Sequence, residues 1–231
     1  MKATLTGTTL PVLELDLQPG EKVVAEPDQL SWMQGTIDMR TTTAAAGSSG
    51  FWGAVGRAVS GGGLFLTEFE AGGSGGSVAF AARVPGAIHE VPLHGARGCL
   101  IHHDGFLCGT DGVVLSTGIQ QSLGAGMFGG DGFVLQKLSG TGTAWVELGG
   151  ETVVRDLAAG ETISVHPGHV GMFEDGVSFE ITTIRGVRNV VFGGDGLFLA
   201  QLTGPGRVWL QTLTVPKLAH ALARYMPHEG K

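Results

Sequence analysis

The sequence predicts an all-β protein built from three tandem repeats of a small antiparallel β-sandwich in a pseudo-threefold arrangement, followed by a short C-terminal helix. Three observations predict it. Glycine supplies 41 of 231 residues without any G-x-y period, which in the company of Val, Leu, Phe and Thr means tight turns and bulges rather than collagen or a linker. Short runs of alternating polarity recur between those glycines, the pattern of half-buried strands. The line "FGGDGFVLQKLSGTGTAWVEL" (residues 128–148) returns as "FGGDGLFLAQLTGPGRVWLQTL" (residues 192–213), and self-similarity at a fixed period marks a repeat architecture.

The units span residues 10–85, 86–150 and 151–214 of one compact chain, with a helix and tail over 215–231. Each opens on an alternating stretch, Leu13 to Pro27, Ile88 to His103 and Val153 to Pro167, whose turn glycines are Gly20, Gly95 and Gly160. A shorter hairpin follows, turning at Gly35, Gly112 and Gly176. Each unit closes with the repeated line, entered at Gly63, Gly132 and Gly196. There "GGSGG", "GTG" and "GPG" are expected to reverse the chain, and Phe80, Trp145 and Trp209 are matched on the returning strand. Beyond Pro216, Leu218, Leu222 and Tyr225 or Met226 recur at helical spacing, which predicts an amphipathic helix packed on a sandwich or on a neighbouring subunit.

A hydrophobic fraction of 42% supports a sizeable core without staples. The net charge of −7 and the lack of a basic run exclude general nucleic-acid binding as an expectation. Two cysteines, Cys99 and Cys108, form no disulfide framework and no paired metal motif. With neither a signal-peptide core nor eighteen uninterrupted apolar residues at hand, a cytoplasmic protein is expected, at most peripheral at a membrane.

"GAGMFG" (residues 124–129) matches G-x-G-x-x-G by letter, but a strand-forming run follows where a dinucleotide site needs a helix N-terminus, so no cofactor is expected. Four histidines raise a metal reading, His102 and His103 beside Asp104, and His166 and His169. A cupin-like site, however, needs H-x-H on one strand so that both rings face inward, and adjacent His102 and His103 would face opposite sides. His166 and His169 bracket Pro167 and Gly168, a turn, and His102 and His166 align with Glu26 in the repeat. No G-x-S-x-G elbow or H-E-x-x-H pair occurs, Glu68 and Glu70 fit a solvated strand face, and the cysteines fit buried small hydrophobes. The segment carrying Phe51, Trp52, Val55 and Arg57 sets aromatics among glycines, a composition suited to contact with a subunit, a partner or a bilayer surface, or else to covering the open end of the first sandwich.

The stretches "WMQGTIDMRTT", "GGGLFLTEFEAGGSGGSVAFAARVPGAI", "VHPGHVGMFEDGVSFEI" and "FGGDGLFLAQLTGPGRVWLQTL" together resemble the altered-inheritance-of-mitochondria protein 24 family, over about Leu10 to Leu213. The resemblance implies a fold similar to the tryptophan-RNA attenuation protein, a homotrimer, and a role near membranes in the fungal members, with no assigned biochemistry in the bacterial ones. This chain departs from the pattern at "GCLIHHDGFLCGTDG" in its middle unit, and in having only Arg57 as a basic residue between Thr43 and Gly61. The expectation is a non-enzymatic scaffold or binding protein. A metal-dependent enzyme on a cupin-like sandwich and an RNA-binding module are the alternatives.

Overall fold

A computed structural model of the chain describes residues 1–43, 65–121, 133–184, 197–223 and 225–226. It is an antiparallel β protein with one short C-terminal helix. The first stretch holds β1 (Lys2–Thr6), β2 (Val12–Leu17), β3 (Lys22–Ala25), β4 (Trp32–Thr43) and β5 (Phe65–Ala81). The second holds β6 (Gly86–His102), β7 (Phe106–Thr110), β8 (Val113–Gln121) and β9 (Phe133–Gly149). The third holds β10 (Thr152–Leu157), β11 (Thr162–Val165), a 3-10 turn (Pro167–His169), β12 (Val170–Glu174), β13 (Ser178–Ile184), β14 (Leu197–Thr203) and β15 (Gly206–Gln211), and α1 (Val215–Ala223) follows.

One order of pairing runs through all three stretches. The last strand or strand pair of each stretch lies antiparallel to the strands that flank it. In the first stretch β2 pairs with the C-terminal half of β5 and β3 with its N-terminal half, while β4 runs along the other side. In the second, β6 covers β9 on one side and β7 and β8 share the other. In the third, β10 and β12 flank β15, and β11 and β13 flank β14.

The glycine-rich segments expected to reverse the chain do not do so in the first two stretches. β5 continues through "GGSGG" and β9 through "GTG" as single strands, and Gly35 and Gly95 likewise lie inside β4 and β6. The physical reason is that paired strands bend together. Register shifts lie between Gly35 and Ile37 and between Gly95 and Cys99, opposite the glycines of β5 and β9, so positive φ there produces a shared bulge and a corner rather than a reversal. Gly35, at φ 86°, shows the constraint most clearly: a Cβ on it would lie 2.7 Å from the Gly75 carbonyl oxygen and 2.7 Å from the Gly76 Cα. In the third stretch "GPG" breaks the strand, and β14 and β15 belong to different sheets. Gly20, Gly112, Gly160 and Gly176 do occupy turns.

The stretches join through two strand pairs with one register. β3 pairs with β7 as Val23 with Thr110, Val24 with Gly109 and Ala25 with Cys108. β6 pairs with β12 as Cys99 with Glu174, Leu100 with Phe173 and Ile101 with Met172. These junctions interlock the cores. Leu13, Leu15, Phe69 and Phe80 form one cluster, which also takes in Cys108 and Trp145 from the second stretch. Leu138 and Val146 centre a second, which receives Val24 from the first stretch and Met172 from the third. Leu202, Val208 and Phe173 centre a third, which receives Leu100 and Leu135. Phe179 stacks on both Phe133 and Phe173, with ring centroids 5.4 and 5.7 Å apart. Burying such side chains contributes about 1.5–3 kcal/mol each before entropy is subtracted.

Candidate functional site

A cleft of about 560 Å3 lies where the second and third stretches meet the start of α1. Glu147 forms its polar floor. This carboxylate sits on β9 in the otherwise apolar run "AWVEL" and is 2% exposed. Its Oε1 accepts from the backbone N–H groups of Arg83 (2.9 Å) and Val84 (3.0 Å), and its Oε2 faces the Arg83 Nε at 3.4 Å. Arg83 also donates through Nη2 to the Asp104 carbonyl. A buried charge with paired donors is a structural anchor, because the same carboxylate stripped of them would bear the full cost of desolvation.

His102 and His103 end β6 and enter the turn to β7, and both line the cleft with Asp104. His102 Nε2 lies 2.9 Å from the Glu147 carbonyl oxygen and donates to it. Burial holds this imidazole below its usual value, a shift the Glu147 hydrogen bond only partly offsets. Gly105 leaves room for the ring, since a Cβ there would come within 2.9 Å of His102 Cδ2. His103 Nδ1 lies 3.0 Å from Asp104 Oδ1, and this bond holds the Asp104 carboxyl below the ordinary range.

Pro167 and Gly168, between His166 and His169, also line the cleft. His169 is bound at both nitrogens: Nδ1 donates to the Gln211 carbonyl at 2.7 Å and Nε2 accepts from Lys217 Nζ at 2.6 Å. That second bond ties α1 to the sheet. Thr214, just before α1, caps it with a hydroxyl that accepts from the Lys217 N–H at 3.3 Å, with Pro216 in the first turn. Gln211 closes the wall by accepting from Gly149 N–H and donating to the Gly168 carbonyl, both at 3.0 Å. His166 Nδ1 is buried with no hydrogen-bond partner among the described residues, and burial, Lys217 and His169 in that order lower its affinity for a proton.

Of the predicted histidines, His102 and His103 thus line the cleft while His166 and His169 flank two residues that do, and the bonded nitrogens serve backbone carbonyls, Asp104 and Lys217. No group of three or more His, Cys, Asp or Glu among the described residues is placed to hold a metal ion. Cys99 and Cys108 are buried; burial pushes the Cys99 thiol up to about 12 and the Cys108 thiol well above its usual value. Phe51, Trp52, Val55 and Arg57, and the "GAGMFG" stretch, lie outside the described residues. Sequence reasoning passed over Arg83, Glu147, Gln211 and Lys217. For Glu147 a signal existed, a lone carboxylate inside an apolar strand; the others are recognisable only once the strands are paired.

Fold and cleft define a class: an antiparallel β protein whose consecutive stretches share cores across strand junctions, with a largely apolar cleft braced by a buried carboxylate. The chain belongs to the family described as Mitochondrial biogenesis AIM24, whose match covers residues 3–213. It is 26% identical over 221 residues to the uncharacterized protein M6_Spy0233 of Streptococcus pyogenes serotype M6, covering 94% of this chain and 87% of that one. The crystal structure of protein SPYM3_0169 from Streptococcus pyogenes has the same fold, with a TM-score of 0.76 and 23% identity over 97% of this chain and 99% of the other. No helix among the described residues is long and apolar enough to cross a membrane.

Proposed function

We propose that this chain is a non-enzymatic scaffold or binding protein, built as three tandem repeats, that works as a homo-oligomer, with three copies favoured. The observation that carries this reading is how the polar groups of the cleft are used. Glu147, His102 and Gln211 serve backbone groups, and Glu147 also the Arg83 guanidinium, whereas acid–base catalysis requires a titratable group poised toward a substrate. The membership of the chain in a family whose relatives here are described only as uncharacterized is consistent with it. Contact with a protein partner or a membrane surface falls to the segment bearing Phe51, Trp52, Val55 and Arg57. The test is capture from native lysate and co-sedimentation with anionic vesicles, using the whole protein and a Phe51→Ser/Trp52→Ser variant. Loss of both kinds of binding in the variant supports the reading; unchanged binding overturns that contact. A stoichiometric ion in elemental analysis of the purified protein would favour the cupin-like alternative instead.

A further inference from the structure

The two internal junctions specify a third, and the chain carries its two halves at opposite ends. Within each stretch a second strand points its free edge forward and a third strand points its free edge back. The second strands align through their partners on the last strand, Val23 with Phe69, Cys99 with Leu138 and Ile163 with Leu202. The third strands align as Trp32 opposite Ala79, Gly109 opposite Ala144 and Phe173 opposite Val208, each three residues before Gly35, Gly112 or Gly176. β3 meets β7, and the end of β6 meets β12. Among the described residues β11 pairs with β14 alone, and β4 with β5 alone.

Burial follows pairing. Phe173 is 1% exposed and Gly109 is buried, but Trp32 is 48% exposed and its neighbour Met33 is 45% exposed. Val24 and Leu100 are buried, yet Ser164 in the same place on β11 is exposed. An unpaired edge carrying Trp and Met is a template for strand addition. Lysine, proline or an inward charge would blunt such an edge, and residues 31–34 (Ser-Trp-Met-Gln) contain none.

We infer that the β4 edge of one copy pairs with the β11 edge of a second copy in the register of the internal junctions, with Met33 opposite Ile163, Trp32 opposite Ser164 and Ser31 opposite Val165. This rests on the oligomeric reading above and names its interface. The two edges differ, so the contact is head-to-tail and closes into a ring when the rotation per copy permits. Ser31 and Ser164 replace the apolar residues of the internal junctions, Cys108 or Met172 and Val24 or Leu100. That suits edges exposed to water before they meet, since interfaces between separately folded chains are more polar than a core.

Light scattering on the full chain, Trp32→Lys/Ser164→Lys and Trp32→Glu/Ser164→Lys tests this, because like charges directly opposite destabilise strand pairing and opposite charges support it. The unmodified chain is expected at a whole multiple of 23.8 kDa, the like-charge variant at the single-chain mass, and the opposite-charge variant restored. A Trp32→Cys/Ser164→Cys variant checks register independently: oxidation should link separate chains, whereas Gln34→Cys/Ser164→Cys should not. A single-chain mass for the unmodified protein overturns both this inference and the oligomeric reading. An oligomer that ignores the charge pairs and does not cross-link overturns this inference alone, as does a disulfide closed within one chain.

Discussion

Trp32 on β4 holds the place of Phe173 on β12 beside the last strand of its stretch, yet Phe173 and the preceding Met172 are buried while Trp32 and the preceding Ser31 are exposed. The difference is one neighbour. β12 has β6 on its free side; β4 has no described strand there. The residue type at the matched position does not account for it, since Trp32 is as large and apolar as Phe173. A β-strand's burial is therefore a property of the junction it joins, and what an apolar side chain contributes depends on whether its edge is occupied.

The sharpest way to break this comparison is to truncate the matched positions. Phe173→Ala should cost about 3–5 kcal/mol, the range for a buried aromatic, measured by denaturant unfolding. Trp32→Ala should change the stability of the dissociated chain by no more than about 0.5 kcal/mol, as expected at an exposed site. Equal losses would mean that Trp32 is already packed within its own chain.

Glu147→Ala should rank next, at about 3 kcal/mol, because it leaves the Arg83 and Val84 N–H groups and the Arg83 guanidinium without their acceptor in a buried site. Glu147→Gln, which retains an acceptor, should recover part of the loss. A neutral Glu147→Ala would show that the carboxylate is dispensable to the junction.

Acid sensitivity is a smaller effect. Burial lowers the folded-state proton affinity of His89, His102 and His166. Below the ordinary histidine value the unfolded chain then binds more protons than the folded one, so stability falls with falling pH, by at most about 1.4 kcal/mol per pH unit per group. Glu26 works oppositely at the acid end, since burial raises its carboxyl and the folded state holds the extra proton. The melting temperature should drop between about pH 7.5 and about pH 5.5, and His102→Asn should flatten that slope. An unchanged slope would remove His102 from the account.

The smallest effect belongs to α1. Lys217→Met removes the bond to His169 and should raise protease susceptibility after residue 214 while shifting global stability by less than about 1 kcal/mol. Unchanged proteolysis would show that packing alone holds the helix.

Much of this architecture was legible beforehand because alternation and glycine spacing are local signals. Phe69, Leu138 and Leu202, all apolar in strand-forming runs, each lie in a buried cluster. The reversal expected at "GGSGG" and "GTG" was misread for a physical reason: a glycine with positive φ serves a turn or a bulge equally, and only the partner strands decide which. In the cleft, the histidines stood out by residue type. Glu147 and Gln211 did not, because their roles depend on backbone groups brought in from 62 to 64 residues away.

Hydrogen exchange on the intact protein tests the central claim most directly, comparing peptides that cover residues 31–34 and 162–165 with one covering 108–110. At concentrations where the protein is assembled, the two end edges should be protected to a degree approaching the internal junction, and dilution should release them while 108–110 stays protected. Rapid exchange at both end edges at every concentration, alongside a protected internal junction, would contradict that claim.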